Sequence, residues 1–331
     1  MQAIRIHESG GPEILRIEDA ADPHPGPGQV LVRMEASGVN FIDVYQRKGQ
    51  YAMKHPYTPG SEGAGVVEAV GSGVTRVRQG DRVASEKFLG SYAELSLAPA
   101  DYVVRLPERV SATVGAATML QGITAHYLAT STYPIKAGDR CLVHAAAGGV
   151  GLLLCQIAKR RGAWVVGTTS TEAKAAFARE AGADEVILYT QQDFVAEVKR
   201  LTSGRGVQVV YDSVGKTTFD GSLDCLAPRG MMVLFGQSSG PVPPLDPQIL
   251  NRKGSLFLTR PTIAHYTAPE ELASRADELF AWIADGSITV HIDRVVPLAQ
   301  AADAHRALES RETVGKVLLT PSRLTPPASA R

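Results

Sequence analysis

The sequence predicts an α/β chain in which a doubly wound parallel sheet is inserted into a β-rich domain. Three observations carry this. Residues 1–105 alternate short strand-like runs with Gly and Pro turns, residues 140–259 alternate six apolar strands with helices, and past Pro261 that regular alternation stops.

In the first part, Gln2–Ile6, Leu15–Ile17, Gln29–Ala36, Gly63–Val70, Arg82–Ser85 and Tyr92–Leu97 read as strands, and His24–Gly28 (HPGPG) as a stiff loop. Asn40–Lys48 suits a short helix, and a Tyr- and Pro-rich segment, Gly49–Gly60, follows it. Loops held on a β scaffold are where sites tend to sit. Val110–Leu128 is helical in pattern. Strands at Arg140–His144, Trp164–Thr168, Glu185–Tyr189, Val207–Tyr211, Met231–Phe235 and Leu256–Thr259 then alternate with helices near Gly149–Arg161, Glu172–Ala181, Asp193–Leu201 and Thr217–Leu226. The chain closes with a helix at Pro269–Asp285, a strand at Asp293–Pro297, a helix at Ala299–Ser310 and a strand at Gly315–Leu319. The Pro/Ala-rich tail Leu324–Arg331 is expected to be disordered.

Bulk properties narrow the function. A length of 331 residues predicts two domains, and 44% hydrophobic with 21% charged residues is ordinary for a soluble globular protein. A formal net charge of zero carries no whole-chain footprint of a nucleic-acid or anionic-membrane binder, and no apolar run reaches the length of a membrane span. Cys141, Cys155 and Cys225 lie far apart without a CxxC pair or a secretory leader, which points to a reducing cytoplasm.

The first strand of the alternating region leads directly into Ala145-x-x-Gly148-x-x-Gly151 and a helix. Such a turn lets backbone N–H groups approach a pyrophosphate while the positive end of the helix dipole favours its charge. Ala145 stands where the dinucleotide fingerprint has its first glycine. The motif alone is equally compatible with a plain turn; its place after the first of six strands makes it a nucleotide site. A second pattern, Gly236-x-Ser238-x-Gly240, has the letters of a hydrolase nucleophile elbow, but Pro241, Pro243 and Pro244 forbid the helix that an elbow needs.

SGVNFIDVYQRKG (Ser37–Gly49), PGSEGAGVVEAVGSGV (Pro59–Val74), GDRV (Gly80–Val83), HAAAGGVG (His144–Gly151), YDSVG (Tyr211–Gly215) and GKVLL (Gly315–Leu319) together resemble the medium-chain dehydrogenase/reductase superfamily, and within it the zinc-free quinone oxidoreductase branch. The resemblance covers residues 1–320. It implies a GroES-like β-barrel catalytic domain (1–121 and 260–331), an NADP-binding Rossmann domain (122–259) and a site in the cleft between them. It also implies a homodimer that pairs two Rossmann sheets, with Gly254–Arg260 as the candidate edge strand. The implied acceptor-side residues are Asn40, Asp43, Tyr45 and Tyr51. The implied cofactor residues are Asn40, Thr124, Ala147, Gly148, Gly149, Val150, Gly151, Ser170, Lys174, Tyr189, Ser213, Phe235, Gly236, Gln237, Ser238, Arg260 and Lys316.

Two departures from the superfamily pattern shape the expected chemistry. Zinc alcohol dehydrogenases place a cysteine ligand where this chain has Asn40 and a histidine where it has Ser61, and their four-cysteine lobe is absent, so no metal is expected. Glu62 survives, with a structural partnership as its first reading. Without a Lewis acid, hydride transfer suits an acceptor that delocalises the developing charge itself, a quinone or conjugated enone. The second departure is at the tip of the second Rossmann strand, Gly167–Thr171, which carries no acid to bond a ribose 2′-OH. Ser170 and Lys174 suit a 2′-phosphate instead, although Glu172 dissents and Lys174 also reads as a solvated helix lysine. The expectation is an NADPH-dependent quinone reductase. Its alternatives are an alkenal or enone double-bond reductase, and an NADPH-binding structural or RNA-binding protein. Zero net charge and the lack of any Arg/Lys–aromatic cluster count against RNA.

Overall fold

The computed structural model describes Met1–Pro321; the tail expected to be disordered, Leu324–Arg331, lies outside the described residues. In chain order the strands and helices are β1 (Gln2–Arg5), β2 (Arg16–Asp19), β3 (Gln29–Val39), α1 (Phe41–Arg47), β4 (Gly63–Val70), β5 (Arg82–Ser85), β6 (Leu95–Pro99), β7 (Val104–Arg105), α2 (Ala112–Tyr127), β8 (Arg140–Val143), α3 (Gly149–Arg160), β9 (Trp164–Thr169), α4 (Glu172–Glu180), β10 (Glu185–Leu188), α5 (Phe194–Leu201), β11 (Val207–Asp212), α6 (Phe219–Cys225), β12 (Leu226–Leu234), α7 (Gln248–Arg252), β13 (Phe257–Thr259), α8 (Pro269–Ala284), β14 (Ile292–Pro297), α9 (Ala301–Glu309) and β15 (Lys316–Thr320). They form two compact units. Among the described residues one holds Met1–Leu120, Ala276–Asp285 and 292–321; the other holds Gln121–Arg275 and Gly286–His291.

The first unit is built on a seven-stranded sheet ordered β14-β15-β3-β4-β5-β7, with β6 also paired to β3. β3 is its spine. Partners on several sides bury nearly all of it, so it reads QVLVRMEASGV with little regard for strict alternation. It runs three residues past the Ala36 end suggested by its apolar pattern, because Ser37, Gly38 and Val39 pair with Leu319, Leu318 and Val317 of β15. That partner lies almost 280 residues away, beyond the reach of a local pattern. β6 shifts the other way: Tyr92 lies outside it and bonds instead to β1, where the Ile4 N–H donates to the Tyr92 carbonyl at 2.8 Å. Ile4, Ile6, Val39, Tyr92, Leu298 and Val317 pack into one apolar cluster beneath this region.

The second unit is a six-stranded, all-parallel sheet ordered β10-β9-β8-β11-β12-β13. This is the doubly wound order, which reverses direction between β8 and β11; ligands of such sheets sit at that reversal, beyond the carboxyl ends of the strands. β12 starts at Leu226 rather than Met231, directly after α6, and reaches its register with β11 through an irregularity near Val207–Val209. The short helix α7 after the proline run is an element that the apolar periodicity does not show. β13 forms the open edge of the sheet and leaves Phe257 about half exposed (56%). All three cysteines are free and buried, and burial holds the Cys155 and Cys225 thiols at about 12, so they are inert at neutral pH. No helix among the described residues is long and apolar enough to cross a membrane.

One glycine of the turn is demanded by packing. A Cβ on Gly151 would stand 2.3 Å from the Ala145 carbonyl oxygen and 2.8 Å from Ala146 Cα, both backbone atoms that cannot swing aside. Gly151→Ala is therefore expected to destabilise the fold by about 2 kcal/mol, seen as a fall in Tm of several degrees, and to weaken nucleotide binding with it.

Candidate functional site

The glycine turn joins β8 to α3 in the geometry its sequence suggests. Ala145 takes a left-handed backbone (φ 51°), the conformation a first glycine would adopt at no cost, and its carbonyl accepts the Gly148 N–H at 2.9 Å. Gly148 is the N-cap of α3, no side chain caps that twelve-residue helix, and Gly148, Gly149 and Val150 are solvent-accessible, while Ala147 is buried behind them. An uncapped, accessible helix N-terminus presenting small residues suits an anionic pyrophosphate.

The neighbouring strand ends supply the rest of this unit's candidates. β9 runs to Thr169 and α4 starts behind the N-cap Thr171, whose hydroxyl accepts the Lys174 N–H at 3.3 Å. Ser170 lies between them, and its carbonyl accepts the Thr190 hydroxyl at 2.8 Å. Glu172, the dissenting acid, is ion-paired with Arg179 one face along α4. Tyr189, just past β10, is 42% exposed. Ser213 follows β11, and its carbonyl accepts the Ser238 N–H at 3.1 Å, tying it to the Phe235–Ser238 loop. Gly236 permits this approach, since a Cβ there would meet Ser213 at 2.6 Å. No helix follows Ser238 until Gln248, so the nucleophile-elbow reading has no structural basis. Thr124 is buried on α2, and Arg260 is exposed just past β13 with its guanidinium donating to the Pro261 carbonyl.

Beneath these loops lies a polar network that reading by motif missed. Asp212, the last residue of β11, accepts the Val214 and Gly215 N–H groups on one oxygen (2.7 and 3.0 Å) and the Thr218 and Ser222 hydroxyls on the other (2.7 and 3.0 Å). With its hydroxyl hydrogen committed to Asp212, Ser222 accepts from His144 Nε2 at 3.0 Å, which leaves Nδ1 to accept from Thr168 at 3.0 Å. His144 is fully buried, and desolvation lowers its pKa, so the imidazole is neutral. The carboxylate thereby shapes the loop that carries Ser213. The Tyr-Asp-Ser-Val-Gly string contained the signal.

The first unit holds the other candidates. Asn40 precedes α1 and is buried; its side-chain amide donates to Glu62 Oε2 at 3.0 Å and to the Gly38 carbonyl at 3.2 Å, and its carbonyl oxygen accepts from Lys316 Nζ at 2.8 Å. Lys316 and Glu62 form an ion pair at 2.5 Å with almost no exposure on either side. Glu62 Oε1 also accepts the Leu120 N–H of α2 at 2.7 Å. Gly38 leaves the space for the pair: a Cβ there would lie 2.2 Å from the carboxylate and 2.7 Å from the ammonium. Burial pulls the Lys316 pKa down while Glu62 opposes the shift. Asp43, the third residue of α1, reaches back to the Asn40 N–H at 2.9 Å as the acidic half of a capping box. Tyr45 packs against Phe41 and Tyr51 with ring centroids near 6 Å, which brings the two candidate tyrosines together, Tyr51 being 42% exposed.

The donor set here does not fit zinc. Asn40 and Lys316 are poor or impossible ligands, the ammonium already supplies a positive charge beside Glu62, and the described residues contain no group of three His, Cys, Asp or Glu able to hold a metal.

Comparison with known proteins agrees with this architecture. Residues 26–108 match the Alcohol dehydrogenase GroES-like domain and residues 181–319 match the Zinc-binding dehydrogenase domain. The chain is 49% identical over 321 residues to a quinone oxidoreductase of Pseudomonas aeruginosa, covering 96% of this chain and 99% of the relative. It is 41% identical over 333 residues to a 2-haloacrylate reductase of a Burkholderia species, covering 97% and 99%. A mycobacterial protein solved in complex with NADPH superposes with a TM-score of 0.95 at 51% identity, over 97% of this chain and all of that one. With these likenesses running its full described length, over a doubly wound sheet and a GroES-like unit, the chain belongs to the quinone oxidoreductase family of the medium-chain dehydrogenase/reductase superfamily.

Proposed function

We propose that this chain is an NADPH-dependent, zinc-independent reductase that passes a hydride to a quinone or a similar conjugated carbonyl. The observation that carries the reading is the buried constellation of Asn40, Glu62 and Lys316, an amide and a neutralised ion pair in place of a metal's ligands. Such a set is too weak a Lewis acid to stabilise a localised alkoxide, whereas a quinone or enone spreads the added charge over its own π-system.

When bound, NADPH supplies the hydride. The turn Ala147–Gly151 and the N-terminus of α3 hold its pyrophosphate, Ser170 and Lys174 its 2′-phosphate, and Tyr189 the adjacent ribose. Ser213 and Phe235–Ser238 hold the nicotinamide end, with Thr124, Arg260, Lys316 and Asn40 as further contacts. The ion pairing of Glu172 with Arg179 supports this choice, because it engages the acid of the first turn of α4 elsewhere than at a ribose diol. Asn40, Tyr45 and Tyr51 orient the acceptor, and Asp43 fixes Asn40. Reduction adds one hydride and one proton to the acceptor; the proton comes from solvent or a tyrosine hydroxyl. The exposed edge strand β13 suits pairing of two copies into a homodimer, and three buried free thiols suit the cytoplasm. A second reading, saturation of an activated carbon–carbon double bond, is favoured by the likeness to the 2-haloacrylate reductase.

An acceptor panel of quinones, enones, aldehydes and alcohols, run with NADPH and with NADH, tests the proposal: quinones are expected to turn over with NADPH, and turnover of simple alcohols but not quinones would refute it. Lys174→Ala is expected to cut the NADPH-over-NADH preference about tenfold; an unchanged preference removes Lys174 from the phosphate site. Lys316→Met strands a buried carboxylate and is expected to cost about 3 kcal/mol in denaturant unfolding. Adding Glu62→Gln is expected to recover most of that stability without restoring turnover.

A further inference from the structure

A chain of buried hydrogen bonds in the first unit leads away from Asn40 and ends near the surface. Asp43 Oδ2, which accepts the Asn40 N–H, also accepts the Tyr92 hydroxyl at 3.1 Å. The same hydroxyl lies 3.1 Å from His305 Nε2, and His305 Nδ1 lies 3.1 Å from Arg47 Nη1. The direction of the chain follows from its far end. A guanidinium only donates, so His305 Nδ1 must accept; its proton is then on Nε2 and is donated to Tyr92, whose own proton goes to Asp43. Burial and the neighbouring Arg47 hold the His305 pKa at about 3, so the imidazole stays neutral and this tautomer is fixed. Arg47, itself without exposure, pairs with Glu309 at 2.8 Å, and Glu309 also pairs with the exposed Lys48. Tyr92 stacks edge-on against His305 at 5.8 Å, which locks both rings.

We propose that Tyr92 and His305 are positioning residues for the reduction: they act through Asp43 to hold Asn40 and the N-terminus of α1 in place. This rests on the reading above that Asn40 contacts the acceptor or the cofactor. α1 spans only seven residues, and its capping box joins Asn40 to Asp43, so whatever fixes the Asp43 carboxyl also fixes the start of the helix. Each donor along the chain points toward one carboxyl, so the hold is strongest when that carboxyl is ionised and both of its bonds are charge-assisted. Asp43 is fully buried, with Oδ1 lacking any partner, and desolvation raises its pKa to about 7. The groups facing it are Lys316 from β15, which favours ionisation, Glu62, which opposes it, the Tyr92 and Tyr57 phenols, Arg47 on its own helix, and neutral His305 on α9. Because the raised pKa means ionisation is completed only above neutrality, turnover is expected to rise with pH through about 7.

The experiment measures kcat and KM for quinone reduction against pH in the wild type, Tyr92→Phe, His305→Gln and Asn40→Ala, with thermal melts to confirm folding. Tyr92→Phe keeps the ring and removes one donor that favours the ionised carboxyl. It is expected to lower kcat about tenfold, to leave KM within about twofold, and to move the rising limb to higher pH. His305→Gln retains an N–H toward Tyr92 and an acceptor for Arg47, and is expected to keep the wild-type limb. If Asn40→Ala abolishes turnover while Tyr92→Phe changes neither kcat nor the limb, the positioning role is overturned and the reading of Asn40 stands. If Asn40→Ala leaves turnover unchanged, the reading of Asn40 fails and the inference falls with it.

Discussion

The buried pairing of Lys316 with Glu62 is the constraint on which the first unit depends. Each charge removed from water costs several kcal/mol, and only its partner and well-placed hydrogen bonds offset that cost. Lys316 meets these terms through Glu62, Asn40 and the Val39 carbonyl at 3.2 Å, and Glu62 through Lys316, Asn40 and the Leu120 N–H. The arrangement tolerates no slip in the sheet. A one-residue shift of β15 against β3 would turn Lys316 to the opposite face and strand both charges. The pairing that closes the sheet between the two ends of the chain is therefore the same pairing that assembles the candidate site, and Gly38 on β3 is small because the ion pair occupies the volume a side chain would take.

The second unit solves the equivalent problem with one charge instead of two. Asp212 ends β11 on the far side of the sheet reversal from β8, and four donors satisfy its oxygens. A carboxylate that accepts several hydrogen bonds tolerates burial without a countercharge. His144, kept neutral by burial, extends the network to Thr168 on β9. The ends of β8, β9 and β11 are thus joined under their loops by fixed donors and acceptors. Rigid elements beneath, with accessible small residues above, are what a preorganised nucleotide turn requires.

Much of this was legible in the sequence, and the boundary of legibility has a physical cause. The six parallel strands were visible because each is a buried apolar run bounded by turn residues, and the turn Ala145–Gly151 because its small residues follow from a local packing demand. The last three residues of β3 were not, because their strand character comes from β15. The early start of β12 and the helix α7 were missed for a related reason: packing against neighbours outweighs weak local preference. At the candidate site, Asn40, Asp43, Tyr45 and Tyr51 stood out as one string around α1. Lys316 was named through its motif, but its bond to Glu62 spans 254 residues and no motif could express it. Tyr92 and His305 carried no motif of their own, lying within a predicted strand and a predicted helix, and only the fold makes them neighbours.

In the site proposed above, the ion pair also bears on which acceptors would suit it. A divalent metal concentrates charge on one oxygen and so stabilises an alkoxide directly. The ammonium of Lys316 is already matched by Glu62, so the pair offers orientation and modest polarisation but little net field. An acceptor must then carry most of its own developing charge. A quinone does so by becoming aromatic as it takes up the hydride, and an enone by spreading charge from carbon to oxygen; an isolated ketone does neither. The same chemical argument unites the quinone reading with the saturation of activated double bonds, since both place the added charge in a conjugated system. What distinguishes them is which atom of that system receives the hydride, a matter of the shape of the acceptor's surroundings rather than of charge.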